Sequence, residues 1–136
     1  MAFAIKAAIL DAAAETFEFP AQKTMYGGKA IAAGDVVFIF ASENHGGRGL
    51  FARGRVIGVE PLPRVPGPGR QTPRVSVRVR RESLATKPLG RAELKPFASS
   101  DTDAGLAELQ FKFYRQATDK IVGLSEAATA ALDRFF

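Results

Sequence analysis

Two stretches of the chain alternate as β-strands do. RVSVRVRR (residues 74–81) puts Val75, Val77 and Val79 on one side and Arg74, Ser76, Arg78 and Arg80 on the other, because successive side chains leave opposite faces of a strand. The valines are expected to face a core and the arginines to stand outward in a row, roughly 7 Å from one same-face position to the next. VVFIFAS (residues 36–42) is apolar on both faces for most of its length, which predicts a central strand with cover on each side. Gly34-Asp35 before it reads as a turn, and ENHGGRG (residues 43–49) reads as the loop of a hairpin whose second arm is LFARGRVIGVE. Gly54 and Gly58 within that arm point to sharp curvature or to the close approach of another group, as barrels require.

The remaining elements rest on weaker patterns. FAIKAAIL (residues 3–10) is expected as a strand, residues 12–15 as one helical turn, and residues 22–29 as loop. Residues 61–73 hold five prolines and two glycines and are expected as an exposed excursion between strands. A short turn is expected at residues 91–94, followed by a polar linker at residues 99–105 with an Asp cap for a short helix. LQFKFYRQ (residues 109–116) alternates and is expected as a strand. Ser125 should cap a terminal helix that buries Ala128, Leu132 and Phe135 along one stripe. The sum is an α+β fold: a mixed β-barrel of five to six strands with short helices and a C-terminal helix, in one domain spanning residues 1–136.

Charge changes this picture more than composition does. Residues 48–91 carry eleven Lys/Arg against only Glu60 and Glu82, a net of +9. The whole chain is +5, so the rest is −4. A basic centre in an acidic frame is the electrostatic footprint of a polyanion-binding face, and it is equally the footprint of a solvated arginine-rich surface. The 136 residues contain no cysteine, which excludes disulfides and thiolate metal sites and favours a cytoplasmic setting. Lys6 and Asp11 break the apolar opening run, so it is not expected to be a targeting segment, and no window matches a membrane-spanning helix.

The blocks, taken in order, resemble the EVE domain of the PUA-like superfamily over about residues 34–135. Gly34-Asp35 followed by FIFAS resembles that family's GD and FFYHS, and RGLFARGRV resembles its returning glycine strand. RVSVRV with Pro88-Leu89 and Ala92-Glu93-Leu94 resembles its next strand and P-L-x-x-L segment. FYRQ, Val122-Gly123-Leu124-Ser125-Glu126 and the closing helix resemble its tail. The first 33 residues depart from the pattern, and the chain has no tryptophan where the family carries several.

The resemblance implies a pseudo-barrel that holds a flipped or single-stranded base, often a modified one, in DNA or RNA. Stacking against aromatic rings supplies affinity there, and hydrogen bonds to the base edge supply discrimination. Carried over to this sequence, the base pocket comprises Phe40, Ser42 and Asn44, with Tyr26 and Phe51 standing in for the missing tryptophans. Arg48, Arg53, Arg78 and Arg80 are the phosphate contacts, and the arginine row is expected on the same side of the barrel as the pocket. Phe40 weighs more heavily as core than as cage.

No cofactor or metal is expected, and catalysis is disfavoured: Glu43 beside His45 is the only acid–base pair near the candidate pocket. Two alternatives stand beside the nucleic-acid module. One is an ASCH-like RNA-processing enzyme using Glu43, His45 and nearby arginines, and the other is a protein- or peptide-binding adaptor barrel.

Overall fold

The computed structural model describes residues 2–63, 67, 69, 72–98, 103–113 and 118–136. Six strands close into one mixed barrel: β1 (Ala2–Ala7), β2 (Thr16–Met25), β3 (Val36–Ala41), β4 (Gly49–Pro61), β5 (Arg74–Leu84) and β6 (Lys120–Leu124), in the spatial order β1-β3-β4-β5-β2-β6. β1 runs parallel to β3 and β2 parallel to β6, while the other neighbours are antiparallel. Among the described residues, three α-helices accompany the barrel: α1 (Arg91–Leu94), α2 (Ala104–Phe113) and α3 (Glu126–Asp133). No helix of the described residues is long and apolar enough to cross a membrane.

The period of two divides each central strand between two cores. Phe3, Ile5, Val37, Ile39 and the three valines of β5 fill the barrel with Ala52, Val56 and Ile121. The opposite faces of β1 and β3 present Ala4, Phe38 and Phe40 outward, where Leu106, Leu109 and Phe113 of α2 and Ala128 and Leu132 of α3 cover them. The double-sided apolarity of residues 36–42 thus has the cause expected of it. Register slips in β4 between Arg53 and Gly54 and between Val56 and Gly58 bend the strand around the barrel. At Gly54 a Cβ would lie 2.6 Å from a Val79 methyl and 2.7 Å from the Arg80 carbonyl, so only glycine permits that approach.

Four sequence expectations need correction. Residues 22–25 belong to β2, which carries Pro20 and slips register between Phe19 and Gln22, the bulge removing the need for the missing N–H. Residues 12–15 form no helix. Residues 109–113 lie in α2 rather than in a strand: Leu106, Leu109 and Phe113 share its buried face, whereas Phe111 is 65% exposed. β6 was not foreseen, although KIVGL is buried along its whole length. Of the prolines expected in an exposed excursion over residues 61–73, Pro61 ends β4, Pro63 and Pro73 are described outside the strands, and Pro66 and Pro68 lie outside the described residues.

Two carboxylates tie the helices together. Asp103 accepts the Leu106 N–H (3.0 Å) and the Arg134 guanidinium (2.6 Å). Glu108 accepts from the Ser125 hydroxyl and N–H and from Lys112. Ser125 in turn caps α3 through Ala128 N–H (3.1 Å). The Leu106 N–H, with Arg134 next, holds Asp103 below the usual carboxylate range. At Glu108 burial pushes the pKa up, but the Ser125 and Lys112 hydrogen bonds outweigh it and the net direction is down. Folded values below unfolded ones mean that this stabilisation is complete above the unfolded pKa and disappears as pH falls through the folded values. The melting temperature is therefore expected to drop below about pH 4. Asp103→Asn with Glu108→Gln should flatten that drop in a Tm-versus-pH series.

Candidate nucleic-acid interface

The barrel end at which β1 and β3 finish gathers charge beneath the helices. Lys6 lies on the outward face of β1, opposite Phe40 of β3 and Lys120 of β6. Both lysines are buried, at 3% and 7% exposure. The Lys120 ammonium donates to the Lys112 carbonyl at 2.9 Å. Burial, with Arg91 adding to it and Glu43 opposing it, pushes the Lys6 pKa below the usual lysine range; burial and then Lys6 do the same to Lys120.

Glu43 and Arg91 come to this end from loops. Glu43 sits in a 3-10 turn (Glu43–His45), and its Oε1 accepts the Arg91 N–H at 3.1 Å and faces Arg91 Nε at 3.7 Å. This cross-link joins the β3–β4 loop to the start of α1. Gly49 and Leu50 complete it: Leu50 N–H donates to the Leu89 carbonyl at 2.9 Å, and Gly49 is left-handed (φ 89°) against Leu89 and Gly90. Between these groups lies a gap of about 10 Å³ lined by Lys6, Phe40, Glu43, Gly90, Arg91 and Phe113, room for about one non-hydrogen atom. A larger hollow of about 370 Å³, walled by Arg91, Ala92, Leu94, Lys95, Gln110 and Phe113, adjoins it, with Arg91, Leu94 and Phe113 lining both. That size falls in the range of small-molecule sites.

The residues picked from sequence divide between this end and elsewhere. Ser42 is here but 1% exposed. Its N–H bonds to Ala7, its carbonyl accepts from His45 and Gly47, and its hydroxyl shares a 3.3 Å contact with His45 Nδ1, so it orders the loop. Asn44 and Arg48 are exposed on the same loop. Phe40 is core: 3% exposed, its ring 5.0 Å from that of Phe113. Phe51 is half-buried at the β4 bulge, edge-on to Phe17 at 5.8 Å. Tyr26 stands at the end of β2, 45% exposed and in the left-handed region (φ 52°). Its ring meets Phe111 at 6.0 Å and lies 5.3 and 5.6 Å from the ammonium groups of Lys112 and Lys120.

The arginine row does not share this side. β5 stands across the barrel from β1 in the ring order, so Arg78 and Arg80 face away from Ser42 and Lys6. Arg78 is neutralised by Glu18 on the neighbouring β2 (Nε–Oε1 3.0 Å), and Arg80 lies opposite Arg55, which faces Glu82 at 3.6 Å. Arg53 lies over the Phe38 ring at 5.9 Å and faces Asp133 at 4.0 Å. The expectation of one common side fails because it treated the strand's outward face as the pocket's face, which strand order alone decides. Glu43 and His45 do not form an acid–base pair: one is held by Arg91 and the other by Ser42.

No family model and no curated protein sequence matches the chain. Solved structures do. The DUF55 domain of human thymocyte nuclear protein 1 superposes with a TM-score of 0.65 at 16% identity, covering 98% of both chains. The human THYN1 protein in complex with 5-methylcytosine-containing DNA gives 0.63 at 15% identity, over 98% of this chain and 96% of that one. A Pseudomonas putida protein gives 0.68 at 15% identity, over 99% of each. These likenesses cover 98% or more of this chain, and the chain therefore shares the fold of these structures, a closed mixed β-barrel with a C-terminal helix as expected.

Proposed function

We propose that this protein binds nucleic acid at the Lys6 end of the barrel and holds one base, of a modified kind, in the hollow walled by α1, the turn after it and α2. The observation that carries the reading is a pair of buried lysines, Lys6 and Lys120, set opposite each other on neighbouring strands. Burying like charges without compensation is costly, and an anionic or strongly accepting ligand relieves that cost. The fold shared with a protein crystallised on 5-methylcytosine-containing DNA supports the same ligand class. Arg48 on the β3–β4 loop and the Tyr26–Phe111 ring pair flanked by Lys112 and Lys120 offer phosphate contact and stacking surface on either side.

The test is fluorescence anisotropy with labelled single-stranded and mismatched duplex oligonucleotides over a series of salt concentrations. Affinity should fall with salt, and Arg48→Ala should lower the log–log slope by about one. Arg78→Ala with Arg80→Ala should leave slope and affinity nearly unchanged. Salt-independent binding, or loss of slope only in the Arg78/Arg80 variant, would overturn the assignment.

A further inference from the structure

Lys6 and Glu43 line the same narrow gap and carry opposite charges, yet they form no ion pair. Glu43 spends Oε1 on Arg91, while Oε2 lies against Gly90. Lys6 is buried at 3% exposure and Glu43 is half-buried, and opposite charges lining one gap attract each other. Here each is held in place: Lys6 by its register between β3 and β6, and Glu43 by the Arg91 cross-link. What remains is a fork with a fixed donor on one side, a fixed acceptor on the other, and space for about one non-hydrogen atom between.

We infer that Lys6 and Glu43 together read an amidine-type Watson–Crick edge, a ring nitrogen acceptor beside an exocyclic amine, as cytosine and adenine present there and thymine and guanine do not. The amine enters the gap and donates to Glu43 Oε2, and Lys6 donates to the ring nitrogen. An ionised carboxylate only accepts and an ammonium only donates, so the polarity of the fork is fixed. A keto group in place of the amine would set its oxygen against the carboxylate, two acceptors with no proton between them. A carboxylate accepting from the cytosine amine is an established readout pairing.

This inference rests on the nucleic-acid reading above, and the experiment separates the two. Anisotropy titrations use oligonucleotides identical except for one unpaired central base: cytosine, adenine, thymine, or 2-pyrimidinone, which is cytosine without its amine. Wild type should prefer cytosine or adenine to thymine by about tenfold or more, the larger of the two showing which ring the hollow admits. Glu43→Gln, whose amide can donate to a keto oxygen, should abolish or invert the cytosine-to-thymine ratio. The 2-pyrimidinone arm needs no variant to fold: removing the amine should weaken wild type to the thymine level and leave Glu43→Gln little changed. Tight binding without discrimination, or an unchanged ratio in Glu43→Gln, overturns the fork and leaves the nucleic-acid reading standing. No binding to any oligonucleotide overturns both.

Discussion

Replacing Lys6 with methionine is expected to stabilise the protein and to disable it. The side chain is 97% buried and stands opposite Lys120. An apolar chain of similar length removes a buried charge, relieves Lys120, and packs against Phe40 and Phe113, which line the same gap. Exchanges of buried charges for well-packed apolar groups gain about 1–4 kcal/mol, and a gain in the lower half of that range raises Tm by roughly 3–8 °C. The same change removes the donor proposed to face the ligand, and charge-assisted hydrogen bonds of this kind contribute about 1.5–3 kcal/mol, so oligonucleotide affinity should fall about 10- to 100-fold.

The pH dependence has a matching sign. Lysine pKa values lowered on folding mean that the unfolded chain binds more protons between the folded values and the ordinary one near 10.5, so wild-type stability should rise with pH through that window. Lys6→Met should flatten the rise. Calorimetry at several pH values together with anisotropy checks all three outcomes; a lower Tm with unchanged affinity would mean that Lys6 is an ordinary structural residue.

Gly49→Ala should produce the opposite kind of damage. Gly49 is left-handed (φ 89°), and a Cβ there would lie 2.3 Å from the Leu89 carbonyl and 2.6 Å from the Gly90 Cα. Neither neighbour is a flexible side-chain end, so the loop must move. Strain of this sort costs about 1–3 kcal/mol per residue, and a backbone clash adds to it, giving an expected loss of about 2–4 kcal/mol by urea unfolding. Moving Leu89 and Gly90 also displaces Arg91, which holds Glu43. Binding should therefore weaken even at temperatures where the variant is folded. An unchanged urea midpoint would show that the loop has slack the geometry denies it.

The fold was far more legible in the sequence than the site was. Residues 36–42 and 74–80 declare their strands because burial on two faces or on one leaves a plain mark in the pattern. Ser125 marks its helix through a cap whose chemistry is local. α2 was misread because Leu109, Phe111 and Phe113 also satisfy a period of two. The helical set that wins, Leu106, Leu109 and Phe113, is visible only once α3 and the barrel wall cover it. β6 is five residues long, too short for periodicity to register.

Lys6 looked like an interruption in an apolar run, yet a lone lysine in the middle of FAIKAAIL is itself the signal: a charge buried on a covered strand needs a reason. Arg91 and Glu43 are 48 residues apart, and no local pattern joins them. The arginine row was legible as a row, but which wall of the barrel it occupies depends on strand order, which a single strand cannot report.

The placement of the ligand is tested most directly by amide chemical-shift mapping on the ¹⁵N-labelled protein as an oligonucleotide with one unpaired cytosine is added. Shifts should concentrate at Lys6, residues 42–49, residues 89–94 and Lys120, with the outward face of β5 from Arg74 to Arg80 left still. Movement centred on Arg78 and Arg80, with Lys6 and Glu43 unaffected, would place the nucleic acid on the opposite wall and contradict the account.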